Sequence, residues 1–199
     1  MRRSSECESG RPLLSTCSDL FSIEPNALFG AELPLEVEIG AGRGDFIIAR
    51  AAATPQCNFL AVEVSVPLVE LIDTRAADAG LSNLRVVRMD ARPLVNLFLP
   101  ATCVSAYHIY FPDPWPKARH AKHRLFTSSF ASNLHRTMRD GASLYVATDV
   151  RDYAESIFSM VTAHGLCPTA EAVAGLAATG FARRFSAEGR IVYAQTFAK

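Results

Sequence analysis

From residue 35 onward, short apolar runs alternate with longer stretches whose hydrophobic positions recur every three or four residues. The runs at 35–39, 59–64, 84–88, 104–110, 144–148 and 191–197 predict strands, and the stretches at 45–53, 66–79, 127–138 and 152–164 predict helices between them. Strands alternating with helices in this way build βαβ units around a mostly parallel sheet. Gly80, Gly141 and Gly165 fall at or just past the ends of three of these helices, where a C-cap glycine is favoured. Residues 1–30 read as an irregular or partly helical lead-in, residues 31–199 as one domain, and the Ala/Gly-rich stretch 170–180 as a loop or short helix.

Composition narrows the class. With 49% hydrophobic and 20% charged residues, a chain of 199 residues can bury one sizeable core and is unlike disordered, collagenous or membrane sequences. Lys+Arg and Asp+Glu balance at 20 each, so bulk charge argues for no polyanionic partner. The five cysteines lie far apart without a CxxC pair, which predicts reduced thiols and no metal site. No apolar h-region follows the two N-terminal arginines and no run of about 18 apolar residues occurs, so a cytoplasmic protein without membrane insertion is expected.

Charge is instead concentrated locally. The stretch 110–124, YFPDPWPKARHAKHR, sets Asp113 and Trp115 among three prolines and follows them with Lys117, Arg119, His120, Lys122, His123 and Arg124. Proline fixes its own φ and steers its predecessor toward extended geometry, so this turn is expected to hold its side chains stiffly. The cationic run reads as an electrostatic footprint for nucleic acid. Trp115 is placed either to stack on an unpaired base or to pack under the turn, and His108, inside an apolar strand, reads as a satisfied core histidine.

A second site lies at the end of the first strand. Gly40, Gly42 and Gly44 form a GxGxG turn between strand and helix, where a ligand can approach the backbone closely. A dinucleotide fingerprint would place glycine at position 45, but Asp45 stands there and would repel a pyrophosphate. S-adenosylmethionine, which carries a sulfonium and an ammonium and no phosphate, fits better. Glu63 closes the second strand, where a carboxylate can accept ribose hydroxyls, and Asp90 follows the third, where it can face an adenine amino group. With Glu38 and Asp113, these acids fall at the carboxyl ends of successive strands, the edge where open α/β sheets bind ligands.

These stretches together resemble the bacterial tRNA (guanine-N7-)-methyltransferases of the TrmB type. The resemblance runs from about residue 29 onward, through EIGAGRG, FLAVEV, LSNLRVVRMDA, the proline turn and ATD. It implies an α/β class I methyltransferase (Rossmann-like) fold, a mostly parallel seven-stranded sheet with helices on both faces. By position it implies that Glu38, Gly40, Gly42, Gly44, Glu63, Asp90 and Asp113 hold S-adenosylmethionine and its product S-adenosylhomocysteine, and that Asp113 has the catalytic role. Lys117, Asp149 and Thr179 would contact tRNA, with Arg119, Lys122 and Arg124 on its phosphates. The expected reaction is methylation of guanine N7 in the variable loop of tRNA, by a monomer or homodimer without metal.

Two positions depart from the pattern. The family's TxxE element reads Thr179-Gly180-Phe181-Ala182 here, and His123 stands where arginine is common. Two other readings keep a foothold: a methyltransferase of exocyclic amines, from the partial likeness of Asp-Pro-Trp to its turn, and a non-catalytic RNA-binding subunit, from the lost acid at Ala182.

Overall fold

The computed structural model describes residues 24–115 and 118–199; the side chains of residues 26, 118, 121 and 122 lie outside that description. Most of the predicted lead-in, residues 1–23, therefore falls outside the described residues, and a short helix α1 (Pro25–Phe29) ends it. Then follow β1 (Leu35–Ile39), α2 (Asp45–Ala53), β2 (Asn58–Glu63), α3 (Val66–Asp78) and β3 (Leu84–Arg88). A three-residue α4 (Ala91–Pro93) runs into a π turn at Leu94–Phe98 before β4 (Val104–Tyr110). The rest comprises α5 (Ser128–Thr137), β5 (Met138–Thr148), α6 (Arg151–Ala163), β6 (Cys167–Thr169), α7 (Gly180–Ala187) and β7 (Tyr193–Ala198).

The sheet has seven strands in the order β3-β2-β1-β4-β5-β7-β6. Only β7 runs antiparallel to its neighbours, β5 and β6. Because β1 sits between β2 and β4, the chain winds away from it in both directions and leaves a crevice beyond the carboxyl ends of β1 and β4.

The period of two in each strand sorts side chains onto two faces. Leu35, Val37, Ile39, Tyr107, Ile109, Leu144 and Val146 meet Phe130 and Leu134 of α5 and Ile157 and Val161 of α6 on one face. Phe59, Ala61, Tyr110, Tyr145 and Ala147 meet Phe46 and Ile47 of α2 and Ile72 of α3 on the other. Helices cover both faces of the sheet, so β1 and β2 are buried along their whole length, polar residues included. Alternation puts Glu36, Glu38 and His108 on the α2 side, where they need partners or ligands.

The sequence reading missed three elements and misplaced one glycine. β6 and α7 are short, and α4 with its π turn interrupts what reads as a loop. Gly141 does not cap a helix: α5 stops at Thr137, and Gly141 lies inside β5 with φ 76° in the stretch where the register against β4 shifts.

Candidate active site

Glu38 forms the floor of the crevice. It is 4% exposed, and its Oε2 is buried without a hydrogen-bond partner. Burial pushes its pKa well above the ordinary carboxylate value, the Ile47 backbone N–H offsets this only in part, and the negative fields of Asp45 and Glu63 raise it further. The group lines a cavity of about 390 Å³ together with Gly40, Gly42, Asp45, Tyr110, Phe111 and Thr179. A buried, unpartnered carboxylate facing open space is a site for a cation.

Beside it lies a second cavity of about 370 Å³, lined by Glu63, Asp90, Asp113 and Trp115, which shares Gly40, Gly42, Tyr110, Phe111 and Phe181 with the first. Gly40 and Gly42 take φ of 76° and 55°, and a β-carbon on either would meet nothing within 4 Å. The loop thus presents bare backbone with free space above it, as a closely bound ligand requires. Gly44, the third predicted glycine, is instead the N-cap of α2, where a β-carbon would lie 2.9 Å from Ile72 Cγ1.

Glu63 already works within the protein. Its carboxylate accepts from the Gly42 N–H at 2.9 Å, the Val64 N–H at 2.8 Å and the Ser65 N–H at 3.0 Å. A carboxylate offers about four acceptor sites. About one remains for a ligand hydroxyl, so the expected grip on two hydroxyls requires a shared bond. Asp90 caps α4 by accepting from the Arg92 N–H at 2.9 Å, and the Arg92 side chain closes on it at 3.1 and 2.5 Å. That hydrogen bonding holds its carboxyl below the usual range. An adenine amino group would have to share this carboxylate with Arg92.

In the proline turn, Asp113 stands exposed at the rim of the second cavity. The residues before two of its prolines are not extended as expected: Phe111 and Trp115 take φ of 53° and 41°. Left-handed backbone at non-glycine residues costs on the order of 1–3 kcal/mol each and persists only where surroundings enforce it. Arg124 supplies that enforcement, donating to the Pro114 carbonyl at 2.8 Å and the Trp115 carbonyl at 3.4 Å while lying 5.1 Å over the Tyr153 ring. Arg124 thus braces the turn through Nε and Nη2, and a phosphate would have to take the donors that remain. Arg124→Lys, which keeps the charge and loses the fork, should make the amides of the turn exchange about tenfold faster than in the parent protein, read by hydrogen exchange.

Trp115 is 37% exposed. Its ring is 5.7 Å from His120 and 5.2 Å from His123 at the cavity rim, so His123, the departure from arginine, contributes an aromatic contact. Arg119 is exposed beside His120. Lys117 and the side chain of Lys122 lie outside the described residues.

Thr179 lines the first cavity as the N-cap of α7, accepting from the Ala182 N–H at 3.1 Å and donating to the Leu176 carbonyl at 2.9 Å. TxxE at such a place spells a capping box, in which the acid reaches back to the N-cap N–H. Here the Thr179 N–H already bonds the Leu176 carbonyl at 3.1 Å, so Ala182 leaves that donor satisfied. Asp149 is not brought to either cavity; it is ion-paired with Arg190, whose guanidinium lies 4.1 Å over the Phe185 ring.

Sequence reasoning also overlooked an aromatic group at the mouth. Phe111, Phe181 and Phe185 meet with centroids 5.2–5.8 Å apart, and Phe181 remains 53% exposed where the two cavities join. The aromatic inside the TxxE-like spacing is the signal that pointed to it.

A family described as "Putative methyltransferase" matches residues 32–190. The tRNA (guanine-N(7)-)-methyltransferase of Syntrophotalea carbinolica is 37% identical over 177 residues, covering 84% of this chain and 75% of that protein. The protein of the same name from Psychromonas ingrahamii is 38% identical over 141 residues, 71% of this chain. The match spans only 58% of that relative's length, and similarly 59% of the Nitrosomonas eutropha protein. Among solved structures, the 16S rRNA methyltransferase KamB superposes with a TM-score of 0.66 at 20% identity, covering 89% of this chain and 94% of that one, a likeness of fold.

Proposed function

The chain belongs to the family of the tRNA (guanine-N(7)-)-methyltransferases, and from that premise we propose that it transfers a methyl group from S-adenosylmethionine to N7 of a guanine in tRNA, the variable-loop guanine, in the cytoplasm. The observation that carries this reading is the pair of joined cavities at one sheet edge, one floored by the Glu38 carboxyl, whose Oε2 has no partner, and the other rimmed by Asp113. The residues present fit the methyl donor. Glu38 would take its ammonium, the open backbone at Gly40 and Gly42 would lie against it, and Glu63 and Asp90 would face its nucleoside. When bound, S-adenosylmethionine supplies an electrophilic methyl group on a sulfonium.

Guanine N7 bears an exposed lone pair and loses no proton on methylation, so the protein's task is positioning rather than strong base catalysis. Asp113 accepts hydrogen bonds from guanine N1–H and the N2 amino group, fixing the ring at the rim of the second cavity, and its charge offsets the positive charge that develops on the purine. Trp115 and Phe181 offer aromatic faces at the same rim. Lys117, Arg119 and Lys122 meet phosphates. Asp149 acts on the substrate side through Arg190, by holding the end of α7.

Labelled-methyl transfer to bulk bacterial tRNA should give 7-methylguanosine as the labelled nucleoside. Label in N2-methylguanosine or N6-methyladenosine would overturn the N7 assignment. An absence of label together with no heat of S-adenosylhomocysteine binding would favour the non-catalytic subunit.

A further inference from the structure

Beneath the first cavity runs a buried chain of polar groups that the proposed reaction does not use. His108 is fully buried on β4, with Nε2 2.9 Å from Glu36 Oε2 on β1 and Nδ1 2.9 Å from the Tyr110 hydroxyl. Arg50 on α2 donates to the same Glu36 at 3.1 Å to each oxygen. Tyr110 in turn donates to the Ala174 carbonyl at 2.6 Å, across 64 positions of sequence. The remaining groups against the imidazole are Tyr145 of β5, stacked at 5.0 Å, and Phe46 of α2 at 4.7 Å.

Ala174 belongs to the stretch 170–180, a strap laid over the α2 face of the sheet. Its end carries Thr179, Gly180 and Phe181 into the lining of the first cavity. Val173, Ala174, Leu176 and Ala178 pack against the core, Tyr145 donates to Glu171 at 2.9 Å, Gly175 fits against the Phe46 ring so closely that a β-carbon would lie 2.3 Å from it, and Arg183 just beyond pairs with Asp45 at 3.2 Å. The Tyr110 hydrogen bond to the strap is backed by the fully buried His108.

Counting protons along the chain exposes a shortage. Burial would raise the Glu36 carboxyl, but hydrogen bonds from His108 and Arg50 override it and lower its pKa to about 2, so Glu36 is an ionised acceptor and Nε2 must carry a proton. In a neutral imidazole Nδ1 is then a lone pair. The Tyr110 hydroxyl has one proton and two acceptors, Nδ1 and the Ala174 carbonyl, and cannot satisfy both fully. With a second proton on His108 every donor finds an acceptor: Nε2–H to Glu36, Nδ1–H to the tyrosine oxygen, and the tyrosine O–H to the strap. Burial acts against that state, holding the imidazole pKa below its ordinary value despite the pull of Glu36.

We propose that Tyr110 is a positioning residue whose hydroxyl pins the 170–180 strap, and with it Thr179 and Phe181, onto the mouth of the first cavity, and that the strap seats more firmly when His108 takes a second proton. What the cavity holds rests on the methyltransferase reading; the pinning does not. The test is hydrogen exchange by mass spectrometry on the full ligand-free chain, corrected for intrinsic rates, at several pH values below and through the imidazole range. Exchange in 170–181 is expected to slow in the parent protein as pH falls. In Tyr110→Phe it should be about tenfold faster and independent of this titration, with the amides of β1 and β4 as protected as before. His108→Gln, which cannot gain a proton, should hold the strap at its high-pH behaviour throughout. S-adenosylhomocysteine affinity, read by calorimetry, should fall severalfold in Tyr110→Phe. Equal strap exchange in parent and Tyr110→Phe overturns the proposal, as does loosening that spreads through β1 and β4, which would mark Tyr110 as ordinary core. If the parent shows no heat with S-adenosylhomocysteine, the methyltransferase reading fails while the exchange comparison still decides the strap.

Discussion

Asp113→Ala is expected to leave a folded protein whose methyl transfer to tRNA is lower by roughly 10²–10³-fold, the size of effect seen when one preorganised electrostatic contact is removed. Asp113 is exposed, so its loss should shift stability by no more than about 0.5 kcal/mol. The backbone around it is held independently, by Pro112, Pro114 and the Arg124 guanidinium, so the turn keeps its shape without the carboxylate. S-adenosylhomocysteine affinity should change by severalfold at most, because Asp113 stands at the exposed rim of the second cavity, whereas Glu38 lines the first. Single-turnover transfer of labelled methyl, with calorimetry alongside, separates the two effects. Near-parental turnover would remove Asp113 from the chemistry.

Glu38→Gln should make the ligand-free protein more stable and deprive it of its cofactor. A carboxyl whose pKa is raised on folding contributes stability that is complete below its ordinary value of 4.5 and is lost as pH climbs through the higher folded value. At neutral pH the parent therefore carries a cost at Glu38 that the amide, uncharged and of the same shape, does not. The midpoint of thermal unfolding should rise by about 2–4 °C per kcal/mol so relieved. The fall in parental stability just above pH 4.5 should flatten in the variant. Because Glu38 would pair with the ammonium of S-adenosylmethionine, affinity for S-adenosylhomocysteine, which keeps that ammonium, should drop roughly 10- to 100-fold, as for the loss of one charge-assisted hydrogen bond. Unchanged unfolding and unchanged affinity together would show that Glu38 is neither a burden to the fold nor a contact to the ligand.

Strands β1, β3 and β4 begin and end where the short apolar runs place them, although polar residues such as Glu36, Glu38, Arg85 and His108 stand among the apolar ones. Helix α2 is equally exact. The acids at the strand ends were legible as a set, since chain direction alone brings Glu38, Glu63, Asp90 and Asp113 to one edge. Their partners were not. That Asp90 is closed by its neighbour Arg92, that Glu63 braces three backbone N–H groups, and that Asp149 is taken by Arg190 depend on side-chain paths that spacing does not encode. The stretch 170–180 reads as a loop or short helix, and Leu176–Ala178 is a short 3-10 helix, but its seat over the sheet comes from tertiary contacts to Phe46, Tyr110 and Tyr145 that local pattern does not encode. Phe111 and Trp115 ran against the rule for residues before proline, as happens where surrounding contacts override local preference.

Asp45 and Arg183 meet across 138 positions of chain. Domains take shape progressively as the polypeptide leaves the ribosome, so the glycine loop and α2 emerge long before the helix that closes against them. A growing chain thus carries the glycine loop and α2 while the helix that walls the first cavity on its open side is still untranslated.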